Sequence, residues 1–341
     1  MNETKNKANI YVIAKGAGVS VATVSRFFNR KSLVKKSTRL KILDVCKKYN
    51  YKPSRVASAI TTKKTKSVAL LVPSLKDPTF GELVSGVEFA LSENGYCLNI
   101  FNTRQSIDKE MEIIDIIDNR IIDGVIVSGV YGSKEDKIFI SEMLRRKIPC
   151  ILVDRYIPGA NIPYVASNDR LGGEIAAKFL LENNHKRIGI ISYDTKVHIF
   201  KERVEGFISI LNKDKLKEEF ILEVPIKFGK IEEYIYKHED ELLKSRATAI
   251  FTVADTIAIF LIRFLLENGF KVPDEISVIG YDDIFYSKFM FPRLSTIHHD
   301  MFKLGKVVGE NLIYKLENGK FKKRKQVIDP TLVIRDSVRK V

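Results

Sequence analysis

Apolar positions follow two regimes along the chain. Between Asn9 and Tyr49 they recur at helical spacing; from Ser67 onward short, nearly continuous apolar runs alternate with helical stretches. In the first regime Ile10, Ile13, Ala14 and Ala17 share one helical face, and Gly18, able to take a positive φ, ends the run. Ser20 stands where an N-cap belongs. The segment 21–29 then sets Val24, Phe27 and Phe28 at i, i+3, i+4, facing inward, with Val21, Ala22, Ser25, Arg26 and Asn29 on the other face. A third helix is predicted on the stripe Ile42, Leu43, Cys46 and Tyr49. Small Ala14, turn-forming Gly18 and inward Val24 at this spacing form a helix-turn-helix, whose second helix can enter a DNA major groove.

In the second regime, residues 68–72, 124–127, 150–153, 187–191, 249–253 and 276–279 are short, β-branched and almost continuously apolar, as strands buried on both faces are. Helical patterns over 80–91, 107–119, 172–182 and 256–267 separate them. Repeated βα units predict parallel sheets with helices on both faces. The region is too long for one sheet, so two doubly wound lobes with a cleft between them are expected. Thr61 to Lys66 is short, polar and charged, and reads as a linker.

Charge divides the chain at the same place. Residues 1–66 hold 17 lysines and arginines against two acids, Glu3 and Asp44, while the remaining 275 residues hold 40 of each sign. All of the net +15 therefore lies in a small head, which marks a polyanion-binding module joined to a neutral body. No apolar run approaches the roughly 20 residues of a membrane span. The opening residues lack the apolar core of a secretory signal, so a cytoplasmic protein is expected. Cys46, Cys97 and Cys150 lack metal-ligand spacing and are expected as buried, reduced thiols. His185, His198, His298 and His299 are read as structural; the adjacent pair, in a strand, points to opposite faces. No nucleophile elbow, phosphate loop or zinc-protease helix is present, so neither an enzyme nor a cofactor or metal is expected.

Asp154, Asp255 and Asp282 each follow an apolar strand run, where ligands of open α/β folds bind. Asp255 can also cap the helix that follows it. With Arg203 as a fork of donors and Phe80 and Phe251 as aromatic walls, these acids suit a polyhydroxylated ligand. Two rivals remain at this point. One is a nonspecific DNA-binding head on a body that needs no ligand; the other is a sugar enzyme with an incidental basic tail.

Ala17-Gly-Val-Ser-Val-Ala-Thr-Val-Ser-Arg-Phe-Phe-Asn29 and Tyr49-Asn-Tyr-Lys-Pro-Ser-Arg-Val-Ala-Ser-Ala-Ile60 resemble the lactose-repressor/galactose-repressor family of bacterial transcription regulators. The likeness runs on through Leu70 to Phe80, Val165 to Gly173, Arg203 to Phe207, Val272 to Asp283 and Leu294 to Asp300. It implies that Val21, Ala22 and Arg26 face bases, and that Ser20, Thr23, Ser25 and Asn29 hold phosphates. It also implies a hinge helix entered at Pro53, with Ala57 and Ile60 in the minor groove. Ile60 takes a position where the family has a wedging leucine. Ser54, Ser58, Val12 and Ala254 depart from the family pattern.

The resemblance implies a domain order of residues 1–52 for DNA binding, 53–66 for hinge and linker, and 67–341 for effector binding and dimerisation. The N-lobe would take about 67–166 and 298–328, and the C-lobe about 167–297 with the C-terminal segment, with crossings near Ser167, Ile297 and Asp329. The body would be similar to periplasmic sugar-binding proteins. Its effector contacts would be Phe80, Arg203, Asp255 and Asp282, joined by Thr79, Asn168 and Asp169. The expectation is a homodimeric repressor of carbohydrate-use genes, bound to a near-palindromic operator and controlled by a sugar. A nucleobase or a phosphorylated protein is the alternative effector.

Overall fold

The computed structural model describes residues 9–29, 33–51, 64–104, 106–117, 121–129, 133–225 and 230–341. It divides into a head, residues 1–65, and a body, residues 66–341.

In the head, Asn9 caps helix α1 (Ile10–Ala17) by accepting from the amides of Tyr11 and Val12. Gly18 ends that helix at φ 64°, the left-handed conformation that costs glycine least. Helix α2 (Val21–Asn29) starts on Ser20, whose Oγ accepts from the Thr23 amide and meets the Thr23 hydroxyl at 2.9 Å. Ile13, Ala14, Ala17, Val24 and Phe27 close over Ile42 and Cys46 of helix α3 (Lys36–Lys48). Phe28 packs on the edge of this core, against Tyr51. Leu43 and Tyr49, expected inside, are exposed. A three-helix core this small has room for one narrow stripe per helix, and α3 fills it with Ile42 and Cys46.

Among the described residues the body holds two six-stranded sheets. The first runs β11-β5-β4-β3-β1-β2, from β1 (Ser67–Val72), β2 (Cys97–Asn102), β3 (Gly124–Ser128), β4 (Cys150–Asp154), β5 (Tyr164–Ser167) and β11 (Lys325–Ile328). Its neighbours are all parallel. One face is covered by α4 (Thr79–Glu93) and α12 (Met301–Asn318), through Leu83, Val87, Leu304 and Val308. The other is covered by α5 (Ile107–Ile116) and α6 (Lys134–Arg145), through Ile113, Ile114, Phe139 and Met143.

The second sheet runs β12-β10-β9-β8-β6-β7, from β6 (Ile188–Tyr193), β7 (Phe220–Val224), β8 (Ala249–Thr252), β9 (Ser277–Asp282), β10 (Ser295–His298) and β12 (Thr331–Val333). Only β12 is antiparallel to its neighbour. Helices α7 (Asp169–Glu182) and α8 (His198–Lys213) cross so closely that a Cβ on Gly173 would fall 2.0 Å from the Arg203 carbonyl oxygen. A Cβ on Gly206 would lie 2.1 Å from that of Arg170. Helices α9 (Ile231–Lys237), α10 (Glu239–Lys244) and α11 (Asp255–Glu267) complete this lobe.

Among the described residues the chain passes between the sheets three times: after Ser167, after His298 and after Ile328. Cys46 and Cys150 are buried and Cys97 half-buried. No described helix is long and apolar enough to cross a membrane.

Candidate functional site

A narrow cavity of about 30 Å³ opens where the carboxyl ends of β4 and β9 meet the crossing segment after β10. Asp77, Thr79, Phe80, Asp154 and Arg155 line it from the first lobe, and Tyr193, Phe200, Arg203, Thr256 and Asp282 from the second. His299 and Met301 close it from the crossing segment.

Two of its acids hold strained backbone. Asp154 ends β4 at φ 66° and Asp282 ends β9 at φ 110°. Positive φ in non-glycine residues costs energy that the surrounding fold must supply, and it concentrates at ligand clamps. Asp154 is 4% exposed, and its Oδ1 finds no hydrogen-bond donor among the described residues. That oxygen faces His299 Nε2 at 3.4 Å, and this nitrogen is likewise without a hydrogen bond. Buried polar atoms in native folds are nearly always satisfied, so the Asp154–His299 pair has hydrogen-bonding capacity for something placed between or beside them. Asp77 accepts from the amide and hydroxyl of Thr79, and burial still pushes its carboxyl above the usual range. Tyr193 shares a hydrogen bond with Thr256 across 2.9 Å.

Arg203 is the anchor of the wall. Its Nε donates to Asp169 (2.8 Å), and one terminal nitrogen donates to the Val253 carbonyl (2.8 Å) and to Asp282 Oδ1 (3.1 Å). The other terminal nitrogen lies 3.4 Å from His299 Nδ1, and the guanidinium covers the Tyr281 ring at 3.7 Å. Burial opposes the charge, but the carboxylates of Asp169 and Asp282 outweigh it and hold the group above its ordinary value.

The nine residues expected around the ligand therefore separate. Thr79, Phe80, Asp154, Arg203 and Asp282 line the cavity. Phe251 does not: it stacks on Phe207 at 4.6 Å inside the second lobe, because its strand is covered on both faces. Asp255 is turned away, and the helix that it opens is capped at Ala254 without a side chain. Its carboxylate accepts from the Ile284 amide and the Ser287 and Thr296 hydroxyls. Asn168 caps α7 and donates to Asp329 at another crossing, while Asp169 stands behind Arg203.

Asp77, Arg155, Tyr193, Phe200, Thr256 and Met301 also line the cavity and carry no sequence signal of a site. His299 lines both the cavity and a neighbouring groove of about 470 Å³, where His298 meets Asp283 at 3.1 Å. His299 is thus a wall residue, not the merely structural one expected. No cluster of three or more metal-ligating side chains occurs among the described residues.

In the head, Ala22 and Arg26 are exposed and Ser25 half-exposed on the face of α2 away from Val24 and Phe27; Ser20, before the helix, is exposed, Thr23 is half-exposed, and Val21 is half-buried against the head's core. Asn29 ends the helix. Ala57 and Ile60 lie outside the described residues.

Residues 9–54 match the family model for bacterial regulatory proteins of the lacI family, and residues 177–338 match that for a periplasmic binding protein-like domain. The chain is 32% identical to the HTH-type transcriptional repressor PurR of Mannheimia succiniciproducens over 336 residues, covering 98% of this chain and 99% of the relative. It is 30% identical to the ribose operon repressor of Haemophilus influenzae over 329 residues, covering 96% and 97%. The structure of the lac repressor dimer bound to operator and the anti-inducer ONPF superposes with a TM-score of 0.84 at 21% identity, over 98% of this chain and all of that one. The chain belongs to the lacI family of bacterial regulatory proteins and is a DNA-binding transcriptional repressor.

Proposed function

We propose that a small sugar, held in the cavity between the lobes, controls this repressor and thereby a set of carbohydrate-use genes. The observation that carries the reading is the buried Asp154 carboxylate with an acceptor left over, set in one cavity with Asp77, Asp282, Arg155 and Arg203. Each sugar hydroxyl both donates and accepts, so a polyol can satisfy carboxylates and guanidinium groups together. Phe80 and Phe200 supply apolar surface for the C–H face of a sugar ring. The relative named for the ribose operon agrees with this choice.

The free volume is enough for about two waters, so a sugar enters only as the lobes move. Occupancy and lobe angle are then linked, as a differential affinity for two conformations requires. On the DNA, Arg26 reads a base edge, Val21 and Ala22 touch base methyls, and Ser20, Thr23 and Ser25 hold phosphates. Two copies of the chain read the two half-sites of a near-palindromic operator. The exposed rings of Phe285, Tyr286, Phe289 and Phe291 form an apolar patch that suits a second copy.

Thermal unfolding of the full chain with D-ribose, other monosaccharides and free nucleobases tests the effector class. A monosaccharide at a hundredfold excess over its Kd adds about 2.7 kcal/mol, and Asp154→Asn removes the gain. A response confined to nucleobases, or to none of these compounds, overturns the reading.

A further inference from the structure

We propose that Tyr156 and His198 form a clasp that holds the lobes shut over the cavity and slows release of its ligand. The inference deepens the effector reading above and rests on it for the identity of the ligand.

Tyr156 follows β4 in the first lobe, two residues beyond Asp154. His198 opens α8 in the second lobe, five residues before Arg203. Neither lies on a crossing segment. Yet the Tyr156 hydroxyl meets His198 Nε2 at 2.8 Å, and the two rings pack edge to face at 4.8 Å. Tyr156 is held in place by Tyr164, the first residue of β5, which stacks on it at 4.3 Å and 8°. The clasp ring thus rests on a strand.

The residues beside the pair point into the cavity. Arg155 and Ile199 both line it, as does Phe200, and the Arg155 guanidinium lies 5.6 Å from the Phe200 ring centroid, a second contact from lobe to lobe. The clasp therefore sits one residue outside the lining on each side. This distinguishes it from Asp154–His299, also a contact to the first lobe, which lies within the cavity where a ligand would compete for it. Tyr156 and His198 do not line the cavity, so a ligand does not compete for them directly.

The chemistry suits a contact that must open and close. Both rings are half-buried, so each can regain water when the lobes part. A phenol donates to a neutral imidazole and accepts from a protonated one. Burial, followed by the Tyr164, Glu202 and Asp169 charges, raises the Tyr156 pKa, which keeps its proton in place.

Tyr156→Phe deletes the hydroxyl but keeps the stack on Tyr164 and the ring contact with His198. His198→Ala removes the other half, and the double variant closes the cycle. Amide hydrogen exchange of the ligand-free full chain is the first readout. Each single variant is expected to speed exchange in both 155–164 and 198–203, and the double variant no more than the His198→Ala single. Faster exchange confined to the lobe that carries the substitution, or effects that add, would overturn the clasp. The second readout is D-ribose release by stopped flow, expected about five-fold faster in Tyr156→Phe, the factor that one hydrogen bond supplies. An unchanged release rate overturns the kinetic role. If the wild-type chain takes up no D-ribose, that failure belongs to the sugar reading, and hydrogen exchange still decides the clasp.

Discussion

Arg203 Nε lies 2.8 Å from Asp169 Oδ1, and both side chains are almost wholly withdrawn from solvent. This pair, extended to Asp282 and the Val253 carbonyl, ties helices α7 and α8 to the ends of two strands under the cavity floor. Removing one partner of a buried ion pair leaves the other charge unpaired, at about 3–5 kcal/mol. Arg203→Met is therefore expected to lower the unfolding free energy by that amount in urea titration. Arg203→Lys recovers only part of it, because an ammonium cannot span three acceptors set out for a planar fork.

Asp255 makes stability depend on pH. Burial, then the Asp282 charge, raises its carboxyl to about 7 in the folded chain, against the opposing hydrogen bonds from Ser287, Thr296 and Ile284. The folded state thus holds a proton that the unfolded state has released. For a raised group the favourable contribution is complete below the unfolded pKa, about 4, and is lost as pH rises through about 7. Thermal midpoints measured from pH 5 to 8 are expected to fall with rising pH from this group. Asp255→Asn flattens that slope.

Gly18 carries the turn on which α2 depends. A Cβ there would meet nothing within 4 Å, so the cost of Gly18→Ala is purely that of φ 64°. About 1–2 kcal/mol is expected, read as weaker operator binding and earlier unfolding of the head. Gly18→Asn should recover part of the loss, since asparagine tolerates this conformation.

Arg26 stands exposed on α2 beside Ala22. Arg26→Ala is expected to cost about 1–3 kcal/mol on the preferred operator and to relax discrimination at one base position. Equal losses on operator and random DNA, measured at one salt concentration, would remove Arg26 from base reading.

What could be read from the chain follows the range of the forces involved. Val24 and Phe27 announce their helix because helical periodicity is local, and Val68 to Val72 announce a central strand because both of its faces are apolar. Edge strands β2 and β7 give a weaker pattern; Leu98, Asn99 and Ile100 are half-buried or exposed, so no continuous apolar run marks them. Asp154 and Asp282 were legible because an acid directly after an apolar strand stands at a place that open α/β sheets use. The same rule misplaced Asp255, which fills three donors of its own lobe.

The sequence by itself determined a basic helix-turn-helix head, a neutral body of two parallel-sheet lobes, and the acids at the strand ends. These depend on periodicity and charge, which a one-dimensional pattern carries. Only the tertiary structure decided that His299 joins Asp154 in the cavity wall, that Phe251 belongs to the core, and that Tyr156 meets His198 from the other lobe. Such contacts join residues 40 to 150 positions apart, and their partners are chosen by how helices pack and where the chain crosses between sheets.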